Sequence, residues 1–335
     1  MIKNTDIVVD LQAGDTGKGK VSHYLAGQTK YDAVVRFNGG GNAGHTIYHN
    51  GNKIITHQVP VGVFYDTLCV IGPGCVINIE ELVKEIDMLK SHGFKPKIVI
   101  DKRVHITTQQ HLDEDSKDSK IGTTKKGIGP TYRDKYARTG KQLNNLPSFA
   151  NYNGLYRVAD TYELFRKMEN ANVLCEGAQG FQLDIDWGDY PYVTSSPCTS
   201  AAVAQNGFPP STWGKVYGVM KAYETYVGNK DGYSDPKYRE VFEKIQEYGG
   251  EFGATTGRKR QIRWLDLDEV KKAVYINDVN HIIINKMDVL EKVNTFNLVH
   301  NGKFHSFRNV FMFQAYVEAV LAVNEIQWSR TPEGI

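Results

Sequence analysis

Apolar positions along the chain follow two rhythms. Short β-branched runs at residues 7–9, 32–37, 53–57, 68–71, 97–101, 172–176, 213–222 and 281–285 predict buried strands. Helical spacing at 79–89, 156–170, 237–248, 270–276 and 310–323 predicts helices, the third of them charged enough to lie on the surface. The two patterns alternate, so the expected fold is α/β: a large, mostly parallel central sheet flanked by helices. Residues 110–145 break both rhythms. They are polar and read as a long mobile loop, with 253–263 as a second. No repeat or low-complexity linker divides the chain, so 1–335 reads as one elaborated domain.

Composition changes this picture little. The chain is 41% hydrophobic and 23% charged, ordinary globular values, and its net charge of +2 makes no global case for nucleic acid or an acidic membrane. No apolar run nears membrane-spanning length and no signal sequence is evident. Cys69, Cys75, Cys175 and Cys198 lack metal-ligand spacing and read as reduced thiols, so the expected location is the cytoplasm.

Chemistry concentrates after the strands. The run at 7–9 opens into Gly14-Asp15-Thr16-Gly17-Lys18-Gly19-Lys20, and a helix follows. Strand, glycine turn and helix make a phosphate cradle, because backbone N–H groups and the helix dipole face the anion. The loop is not a Walker A motif: Ala13 stands where its first glycine belongs, and Gly19 follows Lys18. Asp15 is a poor choice inside an anion cradle unless it holds a metal or moves a proton.

Asn285-Lys286-Met287-Asp288 directly follows a buried strand. An Asp in such a turn accepts from guanine N1–H and the 2-amino group, a pattern adenine cannot supply; the alternative is a plain turn. His45 sits in the glycine-rich stretch 38–46, where α/β sheets place ligands, and can give charge or a proton to a developing anion. The stretch 253–260, with Arg263 beyond it, packs hydroxyls, glycines and cations into a compact anion site. No aromatic ladder extends it toward nucleic acid. The hydroxyl loops at 122–124 and 192–196 fit anions or ordinary turns.

Taken together, these stretches resemble the adenylosuccinate synthetase family. The matching segments are 14–20, 35–46, 121–130, 176–180, 183–196, 251–258 and 286–290, in family order. The resemblance implies a P-loop-like GTP-binding ligase fold that joins L-aspartate to inosine monophosphate, using GTP and Mg²⁺. It implies that Asp15 takes the proton from purine N1 and binds Mg²⁺, with the Gly44 carbonyl as second metal ligand. His45 and Lys18 then stabilise phosphoryl transfer, and Gln179 contacts the purine 6-position. Asn42, Thr124, Arg138, Gln179, Thr194, Val227 and Arg258 hold the acceptor nucleotide. Arg138 arrives from the partner subunit of a homodimer. Thr255, Thr256, Arg258 and Arg260 bind aspartate. Gly14, Thr16, Gly17, Lys18, Gly19, Lys286, Asp288 and Ser329 bind GTP. Small molecules are thus the expected partners, with neither nucleic acid nor membrane.

The departures point the other way. The chain is shorter than the common bacterial enzyme, like compact archaeal and phage members. Its opening, Asp10-Leu-Gln-Ala-Gly-Asp-Thr16, resembles the phage branch that aminates dGMP on the way to diaminopurine nucleotides. Members of that branch typically replace the catalytic Asp, whereas Asp15 remains here. Tyr226-Val-Gly replaces the usual Arg-Val-Gly near the ribose, and Ser329-Arg-Thr-Pro-Glu alters the guanine-binding ending. Two acceptors therefore stay open, IMP and dGMP. A GTP-binding switch without ligase activity is the reading from a different class.

Overall fold

The computed structural model describes residues 2–117, 122–146, 154–228, 230–253, 257–331 and 334–335. The expectations for Thr255 and Thr256 lie outside those residues.

The first half runs β1 (Ile2–Asp10), α1 (Lys18–Gln28), β2 (Ala33–Arg36), the hairpin β3 (His45–His49) and β4 (Asn52–Thr56), then β5 (Leu68–Ile71). The short β6 (Val76–Ile77), α2 (Ile79–Ser91), β7 (Ile98–Asp101) and the short β8 (His105–Ile106) follow. Next come α3 (Gln109–Ser116), α4 (Ile128–Ala137), β9 (Arg157–Ala159), α5 (Thr161–Lys167) and β10 (Ala171–Glu176). The second half holds α6 (Ala201–Gln205), β11 (Trp213–Lys221), β12 (Tyr223–Tyr226), α7 (Arg239–Gly249), β13 (Gln261–Asp266) and α8 (Leu267–Asn277). It closes with β14 (His281–Asn285), α9 (Met287–Val293), β15 (Phe296–His300), β16 (Lys303–Phe307), α10 (Val310–Leu321) and β17 (Glu325–Trp328).

Nine strands form one sheet in the order β17-β14-β11-β1-β10-β2-β5-β7-β9, and every pairing in it is parallel. Successive residues of its strands feed opposite cores. Ile7 and Val9 pack on one face and Val8 on the other; Val35 and Val34 divide in the same way. Both faces are covered, which is why these strands read as unbroken apolar runs. A second sheet, β12-β13-β15-β16, packs beyond the carboxyl end of β11.

Two expectations need correction. Residues 110–145 are not simply a loop, because α3 and α4 lie within them. Their buried positions are mostly polar, with His111, Asp115 and Thr131 inside, so no apolar stripe announces a helix. Residues 156–170 are not one helix. Arg157–Ala159 pairs with β7, and α5 starts at Thr161 because the Asp160 carboxylate accepts the Tyr162 N–H at 3.0 Å.

Candidate functional site

The carboxyl ends of β1, β2, β10 and β14 open onto a cavity of about 1200 Å³. Parallel sheets place ligands at this end, where strand order reverses about β1.

The glycine loop leaves β1 at Asp10. This carboxylate is buried and accepts from the Gln12 N–H at 2.8 Å, the Gly14 N–H at 3.3 Å, the Lys18 ammonium at 2.8 Å and the Thr16 hydroxyl. Four donors converge on one carboxylate and fix the loop's curvature. Gly17 has φ +100, and a Cβ there would fall 2.8 Å from Asn285 Nδ2, which donates to the Thr16 carbonyl at 2.7 Å. Gly19 lets α1 lie against β3, since a Cβ would meet His45 Cβ at 2.6 Å. The phosphate cradle, the base-reading turn and His45 are therefore packed directly together.

Asp15 has φ 55, is exposed, and pairs with Arg260 Nη2 at 2.8 Å. His45 is buried against Arg36, whose two terminal nitrogens each lie 3.4 Å from a ring nitrogen. Arg36 in turn pairs with the buried Glu176 at 3.1 Å, and Glu176 Oε1 lies 3.9 Å from His45 Nδ1. Burial, reinforced by Arg36, Lys18 and His57, pushes the His45 imidazole well below its usual range. The ring is neutral near pH 7, with Arg36 supplying fixed positive charge behind it.

Gln179, also in left-handed backbone at φ 62, is held by its neighbour. The Ala178 N–H donates to Asn38 Oδ1 at 2.7 Å, and Asn38 Nδ2 donates to the Ala178 carbonyl at 3.1 Å. Lys286 caps α9 in left-handed backbone and donates to the Gly249 carbonyl at 2.7 Å. Lys20 donates to Ser329 Oγ at 2.7 Å and to the Thr331 and Gly334 carbonyls at 3.0 and 3.1 Å. Burial, helped by Lys286, pushes Lys20 down to about 8.

One cavity brings together Asp15, Lys18, Gly44, His45, Gln179, Asn42, Thr124, Thr194, Val227, Arg260, Lys286 and Asp288, with Gly14, Thr16, Gly17 and Gly19. Three expected residues fall off its lining. Ser329 is buried behind Lys20, Arg138 is exposed at the end of α4, and Arg258 is exposed with Nη1 donating to the Gly122 carbonyl at 3.2 Å. Sequence reasoning assigned no task to Asp10, Arg36, Asn38 or Glu176. Only for Asp10 was there a local signal, an acid at a strand's end just before a glycine loop.

A glycine loop, the Asn285–Asp288 turn and Arg260 meeting in a single cleft fit a nucleotide-dependent ligase better than a switch. In a switch the basic loop would be idle, yet here Arg260 reaches across to Asp15. The chain belongs to the adenylosuccinate synthetase family: the family model matches residues 7–163 and 153–314. The Fusobacterium nucleatum adenylosuccinate synthetase is 40% identical over 332 residues, covering 85% of this chain and 77% of its own. That of Chlorobium limicola is 37% identical over 360 residues, covering 91% and 82%. The fully ligated Plasmodium falciparum adenylosuccinate synthetase superposes with a TM-score of 0.86 at 28% identity, covering 98% of each chain. The succinoaminodeoxyadenylate synthetase of cyanophage S-2L, solved with dGMP and dATP, has a TM-score of 0.80 at 22% identity, covering 99% and 94%, and shares the fold. Among the described residues no helix is long and apolar enough to cross a membrane.

Proposed function

We propose that this ligase joins the amine of L-aspartate to C6 of IMP, with GTP as phosphoryl donor. The observation that supports it is the convergence of Asp15, His45, Lys18 and Gln179 on one cavity. Its volume of about 1200 Å³ exceeds the ~300–1,000 Å³ of an ordinary small-molecule site, as two nucleotides and an amino acid require.

Aspartate's amine cannot displace a purine oxo group until that oxygen becomes a phosphate. Asp15 takes the N1 proton, Gln179 orients the 6-position, and O6 attacks the γ-phosphorus as the bond to the bridging oxygen breaks and GDP leaves. Lys18, His45 and Arg36 oppose the charge that develops. Thr255, Thr256, Arg258 and Arg260 hold aspartate while its nitrogen attacks C6 and phosphate departs. Lys286 and Asp288 read guanine, with Ser329 supporting Lys20 nearby; Asn42, Thr124, Thr194 and Val227 hold the acceptor nucleotide. Mg²⁺ characteristically binds one or two carboxylates plus substrate phosphates, and the Asp15 carboxylate and Gly44 carbonyl are hard oxygen donors on the same cavity. The donor set fits, and the ion would neutralise phosphate charge there. Arg138, exposed and off the cavity, is suited to complete the site of a second copy in a homodimer.

Retention of the Asp15 carboxylate favours IMP. One observation favours dGMP as a second reading: Ala13 lines the cavity with only a methyl group, leaving room for a 2-amino substituent. The test mixes enzyme, GTP, Mg²⁺ and aspartate with each nucleotide. A succinyl product from IMP supports the first reading and one from dGMP alone supports the second. A product from neither overturns both.

A further inference from the structure

Arg260 is held from two sides. Its Nη2 meets Asp15 Oδ2 at 2.8 Å and its Nη1 meets Glu251 Oε2 at 2.5 Å. Its Nε is buried and has no hydrogen-bond partner among the described residues. The guanidinium is therefore fixed yet short of one acceptor.

Glu251 is itself clamped. It is fully buried, and Oε1 accepts the Tyr223 hydroxyl at 2.6 Å. The Lys221 ammonium, also buried, lies 3.3 and 3.2 Å from its two oxygens and 2.5 Å from Thr225 Oγ1. Burial drives Lys221 down to about 8 against the pull of Glu251. For Glu251, burial works upward but Lys221 and Arg260 outweigh it and hold the carboxyl down at about 2. Both groups are thus charged at neutral pH.

The network returns to the loop it started from. Gln12 donates to the Lys221 and Tyr223 carbonyls at 3.2 Å each, and the Lys221 N–H donates back to Gln12 Oε1 at 2.9 Å. Gln12 and Asp15 belong to one glycine loop, so the ring Gln12–Lys221–Glu251–Arg260–Asp15 closes on itself.

We propose that Glu251, clamped by Lys221 and Tyr223, is the positioning residue that aims Arg260 between Asp15 and the carboxylate of the incoming amino acid. The proposal rests on the reading of Arg260 as part of the aspartate site. A buried ion pair contributes little stability when a well-packed apolar pair would serve. Its use here is geometric: an arginine held on one edge by a fixed carboxylate presents the remaining hydrogens of its terminal Nη groups to substrate in one orientation.

Steady-state kinetics with each of the three substrates varied in turn tests this. Glu251→Gln keeps the volume and removes the charge that orients Arg260. The KM for L-aspartate is expected to rise at least about tenfold while those for GTP and the acceptor nucleotide stay near wild type. Tyr223→Phe removes one clamp and is expected to raise the aspartate KM in the same direction by a smaller factor. An unchanged aspartate KM overturns the proposal, and so does a uniform change in all three. Should Glu251→Gln not fold, Tyr223→Phe decides on the same criterion. Wild-type enzyme without aspartate-dependent turnover sinks the functional reading itself; normal wild-type turnover with an unmoved aspartate KM in the variants sinks only this inference.

Discussion

The inner wall and the outer rim of the cavity are built differently. On the inner wall, Asp10, Lys18, His45 and Asn285 are buried and bonded to protein partners. On the rim, Thr124, Thr194 and Val227 are only half-buried. In the proposed mechanism, the groups that would meet transferring phosphate are already held by protein partners, so little reorganisation would remain at the moment of reaction. The rim supplies the hydroxyls of Thr124 and Thr194, in the proposed reading for the acceptor nucleotide.

The largest effect should come from Asp15, exposed but paired with Arg260, and the next from the inner wall. Asp15→Ala is expected to lower kcat by about 10³-fold, as loss of a general base does, with GTP affinity nearly unchanged by calorimetry. A near-normal rate would remove Asp15 from the mechanism and blur the contrast. Lys18→Met strands the Asp10 carboxylate in the interior. Urea denaturation should then register a loss of about 3–5 kcal/mol, and a variant as stable as wild type would mean that the wall is less preassembled than it looks.

On the rim the expected changes are smaller. Thr194→Ala and Thr124→Ala should each raise the acceptor nucleotide's KM several-fold, corresponding to about 1 kcal/mol, and leave kcat alone. A collapse in kcat would assign one of these threonines to the inner wall. A separate effect, on stability rather than turnover, involves Lys20, at the boundary. Its pKa of about 8 lies below the ordinary 10.5, so between those values the unfolded chain binds more protons and stability rises with pH. Below about 8 both states hold the proton and the dependence vanishes. Urea midpoints from pH 7 to 10 should show wild type gaining on Lys20→Met across that window; a constant difference would refute the shift.

What could be read from the sequence tracks burial. The nine-stranded sheet was visible wherever both faces of a strand are covered, as at Ile7–Val9 and His281–Asn285. It was invisible where a strand is half-exposed, as in the edge strand β17, whose residues Glu325–Trp328 are never fully buried. Helices α3 and α4 escaped because their inner faces make polar contacts, His111 to Asp134 at 3.2 Å and Asp115 to the Gly127 N–H at 2.8 Å. In the site, motif residues announced themselves by local spacing. Glu176, Arg36 and Asn38 did not, because their tasks exist only through contacts with residues distant in sequence.

The position of β1 has a consequence for how the molecule comes into being. Its hydrogen-bonding neighbours on either side are β10, where Ile7 pairs with Cys175, and β11, where Val8 pairs with Tyr217. Because both partners come later in the chain, β1 must wait for the middle of the sequence before either edge is satisfied. Long-range parallel pairing of this kind closes large loops before any contact rewards it, and it is slow. The cradle that follows β1 therefore takes shape late, and a nascent chain shielded from premature pairing should yield more active enzyme than one refolded from denaturant.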